Sequence, residues 1–553
     1  MLDPAVSDQW WKNAVVYCVD VSRFMDSNGD GVGDFRGLTQ RLPYLSGLGV
    51  TCLWLLPFYP SPGRDDGYDV SDYYAVDPRL GSLGEFVEFV RTARGLGIRV
   101  VTDLVVNHTS SDHPWFRDAR RSRDSTYRDW YVWSDEEPEQ QGKIIFPDKE
   151  DSNWAWDEEA GQYYLHRFYS SEPDLDIANP DVRDEIHRIM GFWLELGVSG
   201  FRIDAAPYLI GDTGIEDEMP QDPHDFLEDM RGFLSRRRGD AVLLGEVNLD
   251  PGERETFFGD EGDELTCLFD FIMSGAVFTA MARGEAGPLA DQLRRTPRPP
   301  RTAQWLNFLR NHDELNLSRL PEDQKQDVMH AFAPDEEMRI FDRGIRRRLP
   351  PMVDGDRRRI ELAISLVMTL PGTPVLLYGE EIGMGDDLGT EGRRSVRTVM
   401  QWSDGPNGGF STGEDLAAPL IDHGPFRYQD VNVADQRRHE DSLLNRVERA
   451  IRVRKESPEF GWGSWSVLDT GDRRVLAHRC DWLGSAVVAV HNLSGDDVEV
   501  RLDLHAGQQV DDVADLFGND RFEPLDPEDA VFALSPYGYR WLRGRGAGSE
   551  VAL

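Results

Sequence analysis

The chain of 553 residues holds only four cysteines, Cys18, Cys52, Cys267 and Cys480, with no CxxC pair among them. That argues against a disulfide-dense framework or a thiolate metal motif, and it suits a reducing compartment. Three of the four fall inside apolar, strand-like runs, where a small thiol packs as core. Positive charge is also scarce: 60 Lys and Arg stand against 100 Asp and Glu, a formal charge of −40. Such a balance repels polyphosphate and anionic bilayers, so neither nucleic acid nor a membrane is expected as a partner, and the acidic surplus reads as a solvated surface. No apolar stretch reaches membrane-spanning length, and the opening residues, Met1-Leu2-Asp3-Pro4, lack the basic-then-apolar order of a secretory leader. A soluble, cytoplasmic protein is the expectation.

What the chain does have is a repeated alternation. Apolar, β-branched runs at Val15–Asp20, Val50–Pro57, Arg99–Val106, Gly200–Ala205, Ala241–Val247, Cys267–Ile272, Gln304–Asn311 and Pro374–Ile382 are separated by longer amphipathic stretches such as Leu83–Leu96 and Asp181–Leu196. Parallel strands covered on both faces read this way, and eight of them predict an α/β fold, a (β/α)₈ TIM barrel. The Trp- and Tyr-rich stretch after the third run is too long for an ordinary βα loop and predicts an inserted lid domain. Beyond Glu456, short alternating runs predict a C-terminal antiparallel β-sandwich. The expected partition is barrel over 1–107 and 172–455, insert over 108–171 and sandwich over 456–553. Two arginine-rich stretches, Arg343–Leu349 and Arg357–Arg359, read as solvated helix faces.

Three of the runs end on an acid: Asp204 in Gly200-Phe201-Arg202-Ile203-Asp204, Glu246 after Leu244-Gly245, and Asp313 in Asn311-His312-Asp313. Strand ends at one face of a barrel converge on a common pocket, so acids far apart in sequence become neighbours there. Retaining glycoside chemistry needs such neighbours, with one carboxylate to attack the sugar and one carboxylic acid, about 5 Å away, to protonate the departing oxygen. Arg202 lies two residues before Asp204, hence on the same side of its strand, where its cation can pair with that carboxylate.

With Asp103-Leu104-Val105-Val106-Asn107-His108 closing the third run, these motifs stand in the order found in the α-amylase family, which the chain resembles from about Trp10 to Trp402. The resemblance implies that Asp204 is the nucleophile, Glu246 the general acid and then base, and Asp313 the residue that grips sugar hydroxyls most tightly in the transition state. It implies further sugar contacts at Asp65 and Tyr68, at His108, Phe168, Glu172, Arg202 and His312, and at Arg397. The small-molecule partner implied is an α-glucoside, most often a disaccharide.

Asp26-Ser27-Asn28-Gly29-Asp30-Gly31-Val32-Gly33-Asp34 places oxygen donors at alternate positions, as an EF-hand loop does, but its twelfth position is Gly37 instead of Glu. A similar loop follows the first strand in oligo-1,6-glucosidase-like and trehalose-synthase-like members, and this implies a structural Ca²⁺ held by Asp26, Asn28, Asp30, Val32 and Asp34. The stretches Phe308–Leu315, Gly344–Leu349, Glu380–Asp386 and Val396–Trp402 are most similar to the trehalose-synthase-like members, which interconvert maltose and trehalose. An α-glucosidase acting on maltose, sucrose, trehalose or a related small glucoside is the alternative. Glu172 and Asp176 stand where the family carries amides, and the expectation is altered recognition beside the sugar, since a carboxylate only accepts hydrogen bonds. A second Ca²⁺ site using Asn107 and Asp174 is not expected, because Gly211 occupies its third position. Oligomeric state is not legible.

Overall fold

The computed structural model describes residues 9–139, 144–146, 149–210, 224–504, 512–517 and 530–545. The N-terminal residues Met1-Leu2-Asp3-Pro4 and Gly211, both used above, lie outside them. Eight parallel strands close a barrel: β1 Val16–Val19, β2 Cys52–Leu55, β3 Arg99–Leu104, β4 Gly200–Ile203, β5 Val242–Gly245, β6 Cys267–Phe269, β7 Gln304–Phe308 and β8 Thr373–Leu377. Each strand pairs with its neighbours in sequence, and β8 closes on β1 in the register Val16 with Val375, Tyr17 with Leu376 and Cys18 with Leu377. All eight apolar runs are therefore barrel strands. Nearly every strand residue is buried, which is why the runs are continuous instead of alternating.

The helices outside the barrel carry local start signals. Ser82 and Glu85 form a reciprocal capping box before Leu83–Gly95. Asn179 caps Pro180–Glu195, with proline at its first position. Asp34 caps Phe35–Leu48, and that helix ends at Gly49, whose φ of 97° is left-handed.

Between β3 and β4 lies a small antiparallel sheet of Trp133–Ser134, Trp154–Asp157 and Gln162–Leu165. Its core is aromatic, with Phe116 stacked on Trp133 and edge-on to Tyr164. After the barrel, Ser464–Leu468, Val475–Trp482, Ser485–Asn492, Tyr539–Arg545 and Asp512–Asp515 form a five-stranded sheet, and Val498–Leu502 pairs with Ala530–Leu534. Val488, Val490 and Leu542 from the first sheet bury against Val500, Phe532 and Leu534 from the second, which is a sandwich core. The other face docks on the barrel helix Arg357–Thr369: Trp541 Nε1 donates to Ser365 Oγ at 2.8 Å, and His491 Nε2 meets the same hydroxyl at 2.9 Å.

All four cysteines are buried free thiols. No helix among the described residues is long and apolar enough to cross a membrane. One expectation is corrected. Arg343–Leu349 is not a solvated helix face, since Arg348 is buried, donating to Val396 O at 3.0 Å and Tyr378 O at 2.7 Å, and Arg343 lines the main cavity.

Candidate active site

The carboxyl ends of the strands open onto a cavity of about 460 Å³, within the range of small-molecule sites. Asp204 and Glu246 follow β4 and β5 directly, and both reach into it. Ala205, with φ of 49°, turns the chain just after Asp204 in the left-handed region that a non-glycine residue uncommonly adopts. One guanidinium ties the two acids together. Arg202 Nη1 donates to Asp204 Oδ1 at 2.5 Å, and Arg202 Nη2 donates to Glu246 Oε2 at 2.5 Å. A planar fork pairing with two carboxylates keeps them a few ångströms apart, compatible with the roughly 5 Å that double displacement requires.

Arg202 also donates to Asp103 at 2.6 Å, and Asp103 accepts from Trp54 Nε1 at 3.0 Å and Tyr68 at 3.3 Å. Buried beneath the pocket floor, Asp103 is pushed up to about 7 by loss of solvent, with Arg202 opposing and Asp204 adding to the shift. Burial likewise pushes Glu246 up to about 7; Arg202 opposes this, while Asp204 and Asp313 reinforce it. Asp313 goes the other way. Burial alone would raise it, but Arg393, His312 and Arg397 hold it well below the carboxylate range. Arg397 donates to Asp313 Oδ1 at 2.8 Å, and Arg393 lies 3.0 Å from the same oxygen. Two carboxyls in one pocket are thus driven apart in acidity by their surroundings, the pattern that separates an acid from an anion.

The remaining residues expected at the site are gathered there. Tyr68 OH meets His312 Nε2 at 2.7 Å with the two rings parallel, and Asp65, Tyr68, His108 and Phe168 line the cavity. Arg397, His312 and Arg202 sit behind this lining and hold it. Asp65 is raised to about 6, chiefly by burial, with Arg393 and Arg397 opposing. Glu172 is wholly buried behind the lining residue His108 and does not itself line the cavity, and its Oε1 has no hydrogen-bond partner. Its Oε2 lies 4.0 Å from His108 Nε2, which is also unpartnered. Burial and the nearby Asp65 drive the Glu172 carboxyl well above its ordinary range. A protonated carboxyl donates as well as accepts, so Glu172 can do there what an amide does. Asp176 does not share this setting. It does not line the cavity and accepts from Ala178 N at 3.0 Å, so its expected place beside the sugar is corrected.

Several residues in and around the cavity were not anticipated. Asp66, the neighbour of Asp65, lies outside the cavity lining but anchors Arg397 at 2.7 Å and Arg23 at 3.2 Å from behind. Arg393, Arg343 and Glu314 form part of the wall, as do Phe146 and Tyr208. Glu314 directly follows Asp313 inside a stretch similar to the trehalose-synthase-like members, but nothing in the sequence set it apart as a wall residue. Arg167 donates to Asn107 Oδ1 at 3.3 Å and pairs with Asp174 at 3.2 Å, so a protein cation holds the two residues considered for a second metal.

In the loop after β1, Asp26 accepts from the backbone N–H of Asn28, Gly29 and Gly31 and from Ser411 Oγ. Asn28 and Asp30 accept from the N–H two residues on, and Asp34 accepts from Ser27 and caps the following helix. Gly29 and Gly31, with φ of 83° and 87°, supply the tight turns. The donor chemistry is that of a hard-cation loop. Among the described residues no group of three or more His, Cys, Asp and Glu side chains could hold a metal ion, so a cation here would also need Asn28 and the Val32 carbonyl.

The family model for the α-amylase catalytic domain matches residues 19–333 and 346–463. The chain belongs to the α-amylase family. A sucrose hydrolase-like C-terminal domain model matches residues 484–543 of this α-amylase-family chain. The family member is 44% identical to a trehalose synthase of Thermus thermophilus over 96% of its own length, but it spans only 55% of that relative. It is 42% identical to the trehalose synthase/amylase TreS of Mycobacterium tuberculosis (strain ATCC 25618 / H37Rv), covering 97% of this chain and 90% of the relative. Among solved structures, the α-amylase of H. orenii superposes with a TM-score of 0.77 at 27% identity, over 97% of this chain and all of that one. The α-glucosyl transfer enzyme XgtA gives 0.78 at 28% identity, over 97% and 99%.

Proposed function

We propose that the chain is a retaining α-glucosyl transferase of the trehalose-synthase type, which interconverts maltose and trehalose through a β-glucosyl ester of Asp204. The observation that carries the reading is the single Arg202 guanidinium shared by Asp204 and Glu246, both of which line one cavity. Trehalose synthases among the relatives, at 40–44% identity, support the substrate class.

In this reading an Asp204 oxygen attacks the anomeric carbon of the non-reducing glucose. The bond to O4 of the second glucose breaks, and Glu246 gives its proton to that oxygen. The retained glucose then turns, its own anomeric hydroxyl attacks the anomeric carbon of the bound glucosyl group, its proton goes to Glu246, and the bond from that carbon to Asp204 breaks to release the carboxylate. Asp313, kept anionic by Arg393 and Arg397, binds sugar hydroxyls whose hydrogen bonds strengthen as the ring flattens. Tyr68, His108 and Phe168 shape the pocket around the non-reducing ring. Asp26, Asn28, Asp30, Val32 and Asp34 would hold a structural Ca²⁺, which takes no part in bond making. A cytoplasmic location belongs to the same proposal, supported by the four free thiols.

Separate incubation with maltose, trehalose and sucrose, with products resolved over time, tests the reading. Interconversion of maltose and trehalose with little free glucose is expected. Stoichiometric glucose would instead make the protein an α-glucosidase.

A further inference from the structure

Seven residues, Arg339–Ile345, form a small hairpin beside the cavity, which its Arg343 lines, and the turn of that hairpin is uncommon chemically. Arg339–Ile340 pairs with Gly344–Ile345, and Arg343 N donates to Ile340 O at 3.3 Å across the turn. The two central residues, Phe341 and Asp342, both sit at positive φ, 55° and 51°. A turn of this kind is normally built from Asn-Gly, and a bulky aromatic residue there is strained. Strain of this sort persists only where surrounding contacts over-determine it.

Those contacts lead to the reacting groups. Phe341 does not line the cavity; it stands behind the wall, its ring centroid 5.2 Å from that of Phe146, and Phe146 does line it. Phe146 stacks in turn on Tyr169 at 4.6 Å. The Arg393 guanidinium lies over both rings, 5.3 Å from Phe146 and 5.4 Å from Phe341. Beside the ring, Arg343 donates to Ile145 O at 2.9 Å and to Glu314 at 3.2 Å. Glu314 pairs with Arg393 at 2.8 Å, and Arg393 reaches Asp313. The returning strand of the hairpin also pairs with Leu315–Asn316, immediately after those acids. At Gly344 a Cβ would lie 2.5 Å from Glu314 Cγ, so only glycine lets the hairpin seat this closely. The insert, the hairpin and the end of β7 are thus fastened at one point on the cavity wall.

We propose that the Phe341-Asp342 turn is a latch that pins Ile145 and Phe146 of the insert against Arg393, and so retains the departing sugar over the glucosyl-enzyme while water is excluded. Phe341 is then a positioning residue that favours transfer over hydrolysis. This rests on the transfer reading above. Forming the ester depends less on the latch, because Asp204 and Glu246 directly follow β4 and β5 and Asp313 is held by Arg397 as well as by Arg393. Choosing between the retained sugar and water as the second nucleophile depends on it more.

The test compares the full-length wild type with Phe341→Ala, Phe341→Leu and Phe341→Tyr. For each, the share of maltose turnovers ending in free glucose is measured beside the second-order rate constant for cleaving an aryl α-glucoside. In Phe341→Ala the glucose share should rise at least about threefold while aryl glucoside cleavage stays within about twofold. Phe341→Tyr should restore the wild-type share, and Phe341→Leu, which keeps bulk without the flat ring, should fall between; it carries the comparison if the alanine variant does not fold. An unchanged glucose share in Phe341→Ala, beside a wild type that makes trehalose, would overturn the latch and leave the transfer reading standing. Equal losses of transfer and aryl glucoside cleavage would also overturn it. A wild type that yields only glucose would remove the transfer reading and the latch with it.

Discussion

Arg202 donates to Glu246 at 2.5 Å, yet Glu246 is the carboxyl whose midpoint is raised to about 7. Burial outweighs the cation, and the charges of Asp204 and Asp313 add to the shift. An acid that must give a proton is therefore half protonated near neutrality. The free-enzyme rate constant kcat/KM should fall as pH rises through about 7, because the proton is lost on that side. Glu246→Gln should remove this limb and slow maltose turnover by about 10²–10⁴. It should spare the first step for an aryl glucoside whose leaving group needs no protonation. A flat profile from about pH 6 to about pH 9 would contradict the assignment.

Asp313 is gripped by Arg397 and Arg393 and kept anionic, so its role is to bind hydroxyls that tighten in the transition state. Asp313→Asn should lower kcat by at least about tenfold, about 1.4 kcal/mol, with KM changed much less. Steady-state kinetics on maltose check this; a rise in KM with kcat unchanged would show uniform binding instead.

How much of this was legible in the chain follows from the kind of signal each residue leaves. The eight strands announced themselves because burial on both faces leaves continuous apolar runs, and the convergence of Asp204, Glu246 and Asp313 on one cavity was legible because each lies at or just past the end of such a run. Arg348 was misread because its partners are carbonyls of Val396 and Tyr378, and backbone acceptors leave no trace in sequence. Arg393, Arg343 and Asp66 were missed for a related reason: their value depends on which distant loops fold over the barrel mouth. Asp176 looked equivalent to Glu172 four residues earlier, but its side chain is used by its own turn.

Asp66 links two buried cations to the site floor, and these arginines hold its carboxyl below the ordinary range although burial opposes them. Its stabilising contribution is present above the unfolded carboxylate value near 3.9 and is lost as pH falls through the lower folded value. Asp66→Asn should destabilise the fold at neutral pH by about 3 kcal/mol, since Arg23 and Arg397 lose a charged partner. Denaturant unfolding at pH 7 and in acid measures it. The difference between the proteins should shrink in acid, and equal stability at pH 7 would refute the argument.

If the loop from Asp26 to Asp34 holds Ca²⁺, the ion binds the folded chain alone. Added Ca²⁺ at about 100 times its Kd should then stabilise by about 2.7 kcal/mol, and chelation should lower Tm. Asp30→Ala, at an exposed position of the loop, should abolish the Ca²⁺ response. Identical melting with calcium and with chelator would exclude the site.

The central claim is that Asp204 becomes covalently glucosylated. Incubating the protein with 5-fluoro-α-glucosyl fluoride, quenching, digesting and sequencing peptides by mass spectrometry addresses it without depending on which product forms. The account predicts one added fluoroglucosyl group, on the Gly200–Ala205 segment at Asp204, and none in Asp204→Asn. A label on another residue, or full turnover of maltose by the unlabelled Asp204→Asn protein, would contradict it.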